Sequence, residues 1–331
     1  MFRKFLVNQF NKKYAGKELF FCHRIYEDII FYPNIALKCC HHQVINKCPP
    51  IVSTEPNKKI TFLKYLKALE MIMDTNQTDK PECGTCRFLK KQIVPEFKHE
   101  KFLTFFTINH FTKCNSNCVY CGIRQKTQDI RYHLLPVIKQ MVKDKMFNEN
   151  CLINWGGGEP TMCSEFEEIA EFFHKNKIRQ AINSSGIIFS NTILEGLKDG
   201  SMSIQISPDS GTEETYKKIK RQNNFNKVWE NIAKYAQYPD MLFVKYIFFS
   251  MSANETDVRK FIKKCIECGV KNIVIDCEST SVTSPVKPFG EITQEIVDLA
   301  ILMKKLAIEN GLKYEVSYQW KDEHKTMIEN A

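Results

Sequence analysis

The 331-residue chain is 43% hydrophobic and 26% charged, a composition of folded globular proteins that excludes a disordered or fibrous chain. Its net charge of +9 is spread without a Lys/Arg block, which fits a solvated surface better than a nucleic-acid-binding tail, and no apolar run approaches the ~20 residues needed to cross a bilayer. Fourteen cysteines behind an N-terminus that lacks the marks of a signal peptide point to metal ligation rather than disulfides, and to a cytoplasmic location.

In chain order, Phe2, Phe5, Leu6 and Phe10 fall at helical spacing in a basic segment, which predicts a short helix packed on the body. Residues 1–98 read as a small cysteine-rich domain. It holds Cys22, Cys39, Cys40, Cys48, Cys83 and Cys86, with His23, His41 and His42 nearby. Residues 25–32 read as a strand, Pro33 and Asn34 as a turn, and residues 60–73 as an amphipathic helix. Pro81 then leads into a tight Cys83-x2-Cys86 turn. The charged stretch 95–100 marks the boundary to a second domain, 99–331.

Beyond it, apolar and amphipathic runs alternate. Strands are predicted over 102–109, 151–155, 178–183, 202–207, 241–249 and 272–276, and helices over 133–147, 165–174, 191–199, 226–238, 257–268 and 293–309. Residues 312–318 add one strand. Six β/α units in succession predict an α/β fold with a parallel sheet, a partial (β/α)6 TIM-like barrel. In such folds the site lies at the C-terminal ends of the strands.

The unusual residues are at those ends. After the first strand come Cys114, Cys118 and Cys121, spaced C-x3-C-x2-C. Three thiolates on so short a loop can hold three corners of a soft-metal site, whereas a [4Fe–4S] cluster normally takes four cysteines. Either the fourth ligand is distant, or one iron is open. After the second strand come Gly156, Gly157, Gly158 and Glu159. Bare backbone beside one carboxylate suits a ligand carrying an ammonium group. Asn183, Ser184, Ser185 and Gly186 follow the third strand, and Ser207, Pro208, Asp209, Ser210 and Gly211 the fourth. Cys265 and Cys268 lie on a predicted amphipathic helix and read as core packing.

The triplet followed by Gly157, Gly158, Glu159 and Pro160 resembles the radical S-adenosylmethionine (radical SAM) superfamily, as do the stretches 206–220, 225–232 and 244–247. The resemblance covers roughly residues 100–280. It implies that Cys114, Cys118 and Cys121 hold three irons of a [4Fe–4S] cluster and that S-adenosylmethionine chelates the fourth. Reductive cleavage then gives a 5′-deoxyadenosyl radical that abstracts hydrogen from a small-molecule, sugar-linked or peptide substrate. By motif, Gly157, Gly158 and Glu159 bind the methionine amino group. Ser184 and Ser207 lie near ribose and carboxylate, with Asp209 adjacent, and Tyr120 lies near the adenine. Lys220 is placed near the methionine carboxylate. Cys277, ending the sixth strand, is a candidate hydrogen-atom donor to a substrate radical. An electron donor such as flavodoxin or ferredoxin is implied.

The N-terminal cysteines resemble the SPASM or twitch-like auxiliary-cluster modules of this superfamily, displaced to the front of the barrel. The resemblance assigns an auxiliary [4Fe–4S] cluster to Cys22, Cys40, Cys83 and Cys86, with Cys39 competing with Cys40. A structural zinc site on the same CxxC turn is the rival. Two alternative functions are a radical SAM enzyme acting on tRNA and a zinc-containing nucleic-acid-binding protein. The latter leaves the six β/α units and the loops after them unexplained.

Overall fold

The computed structural model describes residues 2–38, 51–53, 60–81, 83–84, 86, 88–121, 123, 127–249, 254–278 and 292–331. Cys39, Cys40 and Cys48, with His41 and His42, lie outside the described residues. The chain divides into two compact units, residues 1–112, 128–157 and 164–180 forming the first and residues 113–127, 158–163 and 181–331 the second.

The first unit opens with α1 (Phe2–Tyr14), the expected helix, which buries Val7, Phe10 and Tyr14 but leaves Phe2 and Phe5 exposed, followed by β1 (Glu18–Phe21), α2 (His23–Glu27), β2 (Asp28–Phe31), β3 (Ala36–Lys38) and β4 (Ile51–Ser53). Next come α3 (Phe62–Thr75), β5 (Lys90–Ile93), β6 (Leu103–Ile108), α4 (Leu135–Lys143), β7 (Phe147–Trp155) and α5 (Phe166–Lys175). The strand expected over 25–32 is halved. Residues 23–27 close a helical turn, with the Ile25 N–H on the Cys22 carbonyl at 3.0 Å, and only Asp28–Phe31 pair as a strand. That strand, which comes from the first 98 residues, runs parallel to β6, Asp28 opposite Phe105 and Phe31 opposite Ile108. Strands β6 and β7 are also parallel, whereas β3 pairs antiparallel with β2 and β4.

An aromatic cluster fills the space beneath α1 and α3. The Phe97 ring lies 5.7 Å from Phe10, 5.1 Å from Tyr26 and 5.1 Å from Phe102. Such ring pairs each add roughly 0.5–1.5 kcal/mol beyond their burial. Helix α3 begins where the Thr61 hydroxyl accepts the Lys64 N–H, satisfying one of its free amides. Helix α5 is preceded by Glu165, whose buried carboxylate accepts the Leu134 N–H at 2.9 Å and meets His110 at 3.2 Å and His133 at 3.0 Å.

The second unit takes up the chain within β8 (Arg179–Ser184) and continues through α6 (Asn191–Lys198), β9 (Met202–Ile206), α7 (Glu213–Lys220), α8 (Phe225–Tyr235), β10 (Leu242–Phe248), α9 (Glu255–Glu267), β11 (Asn272–Cys277), α10 (Gln294–Glu309), β12 (Lys313–Val316) and α11 (Asp322–Asn330). Strands β9 to β12 pair in parallel in sequence order. In β9, Met202, Ile204 and Ile206 are buried while Ser203 and Gln205 are half-buried. That alternation buries one face under the helices and leaves the other polar. The chain is thus α/β with a parallel-rich sheet. Among the described residues no helix is long and apolar enough to cross a membrane.

Candidate functional site

The cysteine loop belongs to the second unit. The thiols of Cys114, Cys118 and Cys121 are half-buried. The loop is seated by its backbone. Asn117 N–H donates to the Lys220 carbonyl at 3.2 Å and Val119 N–H to the Ile219 carbonyl at 2.9 Å. A turn closes it, with Cys121 N–H on the Cys118 carbonyl at 3.2 Å, and the Ser116 N–H reaches Cys114 Sγ at 3.4 Å. Val119 and Tyr120 pack against Ile219, Ile247 and Phe249. The seat is the last turn of α7, a helix the sequence periodicity did not reveal. Thr212 caps its start by accepting the Thr215 N–H, and Arg221 ends it in the left-handed region at φ 53°.

Three side chains expected to face the cofactor are joined to one another here. Lys220 Nζ pairs with the Asp209 carboxylate and donates to the Tyr120 hydroxyl at 2.6 Å. The Tyr120 O–H donates to Asp209 Oδ2 at 2.5 Å. The other Asp209 oxygen accepts the Ile247 N–H at 3.1 Å. Asp209 and Lys220 are buried, and Asp209 is held at φ 56°. Burial pushes the Tyr120 phenol well above its ordinary value, and the charges of Asp209 and Cys118 add to the effect. Burial alone would lower the Lys220 ammonium, but Asp209 and Cys118 outweigh it and raise the group. The lysine is therefore a fixed cation beside the cysteine loop.

Glu159 is buried in the same unit. Its Oε1 accepts the Thr161 hydroxyl at 2.8 Å and the Ser184 hydroxyl at 2.9 Å, and its Oε2 accepts the Ser185 N–H at 2.6 Å. Its own N–H donates to the Lys113 carbonyl at 2.8 Å, just before the first cysteine. Ser185 also bonds the cysteine loop itself, its hydroxyl 2.9 Å from Asn115 Oδ1. Two of the neighbouring glycines serve the packing of the first unit. A Cβ on Gly156 would meet Asn109 Oδ1 at 2.6 Å, and one on Gly157, at φ +77°, would meet the Phe111 carbonyl at 2.8 Å.

Ser207 follows β9 and is half-buried. Cys277 ends β11 and is buried. Burial drives its thiol far up, with Asp276 and Glu278 adding to the shift. Beside it, Lys245 and Asp276 form a partly buried pair at 3.3 Å. Lys245 lay within a motif stretch, but its partner carried no signal of its own.

Asp257 was also missed. It is buried and accepts the Gly211 N–H at 2.9 Å, the Thr212 hydroxyl at 2.7 Å and the Tyr246 hydroxyl at 2.9 Å, fixing the loop that follows β9. The available clue was Asn254, three residues earlier, which caps α9 on the Asp257 N–H at 2.9 Å. Cys265 is fully buried within the same helix.

Cys22, Cys83 and Cys86 belong to the first unit. Cys22 precedes α2, Cys83 N–H donates to Asn76 Oδ1 at 2.9 Å, and Cys86 N–H closes the CxxC turn on the Cys83 carbonyl at 2.8 Å. Cys40, the remaining residue of that set, lies outside the described residues. Among the described residues no group of three or more His, Cys, Asp or Glu is placed to hold a metal ion. The fit of the Cys114 loop to an iron–sulfur cluster rests on its donor set: three half-buried thiols on one anchored loop. It rests also on the buried Asn115 Nδ2, which has no partner among the described residues.

Residues 108–244 match the family described as Radical SAM superfamily. The GTP 3′,8-cyclase of Clostridium botulinum (strain Okra / Type B1) is 28% identical over 145 residues, covering 41% of this chain and 44% of that protein. The molybdenum cofactor biosynthesis protein moc-5 of Caenorhabditis elegans is 28% identical over 137 residues, 39% of this chain and 22% of that protein. The matched region thus spans less than half the length of either relative. Among solved structures, Streptococcus suis SuiB bound to S-adenosylmethionine superposes with a TM-score of 0.53 at 11% identity, over 76% of this chain and 56% of that one. This is a likeness of fold alone. The matched segment contains the cysteine triplet, Glu159, Ser184, Asp209 and Lys220.

Proposed function

We propose that this protein is a radical SAM enzyme whose Cys114, Cys118 and Cys121 hold a [4Fe–4S] cluster with one iron open to S-adenosylmethionine. The observation that carries this reading is Ser185. Its hydroxyl holds Asn115 in the cysteine loop while its N–H holds the Glu159 carboxylate. The three-thiol loop and a buried carboxyl group are thereby tied together at the ends of successive strands.

When bound, such a cluster supplies the electron that splits the sulfonium C–S bond, giving a 5′-deoxyadenosyl radical that takes hydrogen from substrate. The protein's part is to bind, orient and shield. Glu159 offers its carboxylate to the methionine ammonium with Gly157 and Gly158 alongside, and Ser184, whose hydroxyl holds Glu159, and Ser207 lie near ribose and carboxylate. The Tyr120, Asp209 and Lys220 set holds the loop on α7 and borders the adenine and methionine carboxylate. Cys277, its thiol kept protonated by burial, is proposed as a hydrogen-atom donor to a substrate radical.

This chemistry is assigned to a partial (β/α)6 barrel over residues 99–331, with residues 1–98 carrying an auxiliary cluster on Cys22, Cys40, Cys83 and Cys86. The substrate is proposed to be a small molecule. The names of the curated relatives make a purine nucleotide the first compound to try. A cytoplasmic location and a flavodoxin or ferredoxin as electron donor belong to the same reading.

The test is anaerobic reconstitution with iron and sulfide, then dithionite and S-adenosylmethionine. The expected product is 5′-deoxyadenosine, lost in Cys118→Ala. A cluster-loaded protein that forms none contradicts the proposal.

A further inference from the structure

We infer that Asn115 is a hydrogen-bond donor to the sulfur atoms of the cluster that its loop holds, and that it raises the cluster's reduction potential. This rests on the reading above. The carboxamide is in the triplet, directly after Cys114. Its orientation is set by Ser185. The Ser185 hydroxyl donates to Asn115 Oδ1 at 2.9 Å, and its oxygen accepts the Ile187 N–H at 3.4 Å. The oxygen of the carboxamide is thereby committed to Ser185, and the NH2 end is left over. That Nδ2 is buried and has no partner among the described residues. A buried amide N–H without an acceptor costs about 1–3 kcal/mol, and a sulfur-rich anionic guest held by the same loop would supply the acceptor.

The consequence is electrostatic. Reduction adds a negative charge to the cluster, so a donor aimed at its sulfurs favours the reduced form. Hydrogen bonds to sulfur are among the established determinants of iron–sulfur potentials, and groups that orient or touch the ligands tune the metal as the ligands do. Asn115 acts as a positioning and tuning residue; the thiolates do the ligating.

The test compares the midpoint potential of the reconstituted cluster, by EPR-monitored titration without S-adenosylmethionine, in wild type, Asn115→Leu and Ser185→Ala. Iron content is measured on each sample. The expected result is a shift to more negative potential in Asn115→Leu and a smaller shift of the same sign in Ser185→Ala, at wild-type iron content. Asn115→Asp, of the same shape but with an anion in place of the donor, shifts furthest. Should Asn115→Leu fail to load, Ser185→Ala and Asn115→Asp decide. Unchanged potentials in loaded variants overturn the inference and leave the proposed function standing. Unchanged potentials with weakened S-adenosylmethionine binding also overturn it, because the amide then serves the cosubstrate. A wild-type protein that takes up no cluster removes the reading on which the inference rests.

Discussion

Replacing Lys220 by methionine keeps the length of the side chain and removes the charge. The Lys220 side chain is 6% exposed and that of Asp209 is fully buried, so the substitution strands a carboxylate that retains only the Tyr120 hydroxyl and the Ile247 N–H. Removing one member of a buried pair costs about 3–5 kcal/mol, because the surviving charge is uncompensated. Asp209→Asn alone leaves a buried ammonium and falls in the same range. In Lys220→Met/Asp209→Asn neither charge remains. The double variant is expected to cost less than the sum of the singles, by a coupling of roughly 0.5–3 kcal/mol. The assay is urea unfolding of the metal-free protein followed by far-UV circular dichroism, with the slope compared to exclude a change in the exposed surface. A Lys220→Met protein within about 0.5 kcal/mol of wild type, or strictly additive singles, would refute the claim that this pair fixes the seat of the cysteine loop.

The same pair carries a pH signature. The folded Lys220 ammonium is raised, so its contribution is fully present below the unfolded value near ~10.4 and is lost as pH climbs through the folded one; alkaline unfolding should start earlier in Asp209→Asn. Burial disfavours the Glu165 anion, but bonds from His110, Leu134 N–H and His133 outweigh burial and hold its carboxyl below the usual range. That stability is present above the unfolded value near ~4.3 and lost as pH falls. Glu165→Gln should cost roughly 1.5–3 kcal/mol at neutral pH and flatten the acid limb of a stability–pH curve. Gly211→Ala should prevent accumulation of folded protein, because its Cβ would lie 2.2 Å from both the Asp257 carbonyl and the Phe261 amide nitrogen; normal yield and melting temperature would contradict this. Cys265→Ala should leave iron content after reconstitution unchanged, since that thiol is core packing, whereas Cys118→Ala should lower it.

Much of the second half was legible because its signals are local. The strand predicted over 202–207 is observed as Met202–Ile206, and the helix over 293–309 as Gln294–Glu309, each announced by its own period. What failed to show was non-local. Helix α7 was not among the predicted elements, and its role as the seat of the cysteine loop lies in backbone bonds to a distant segment. The strand predicted over 25–32 includes β2, but its parallel pairing with β6 spans more than seventy positions and leaves no local mark. In the site, the cysteines and Glu159 stood out by type and spacing. Asp257 and the tether from Ser185 to Asn115 did not, because their meaning lies in hydrogen bonds between distant loops. The mutual pairing of Tyr120, Asp209 and Lys220 was hidden for the same reason.

The proposed function requires that the three-cysteine loop leave one iron for S-adenosylmethionine. The most direct measurement is the EPR spectrum of the dithionite-reduced, reconstituted protein with Cys22, Cys83 and Cys86 replaced by alanine, recorded with and without S-adenosylmethionine. The expected result is a reduced [4Fe–4S] signal whose g-values change on addition of S-adenosylmethionine, and no such signal once Cys114, Cys118 and Cys121 are also replaced. A spectrum identical with and without saturating S-adenosylmethionine would contradict it.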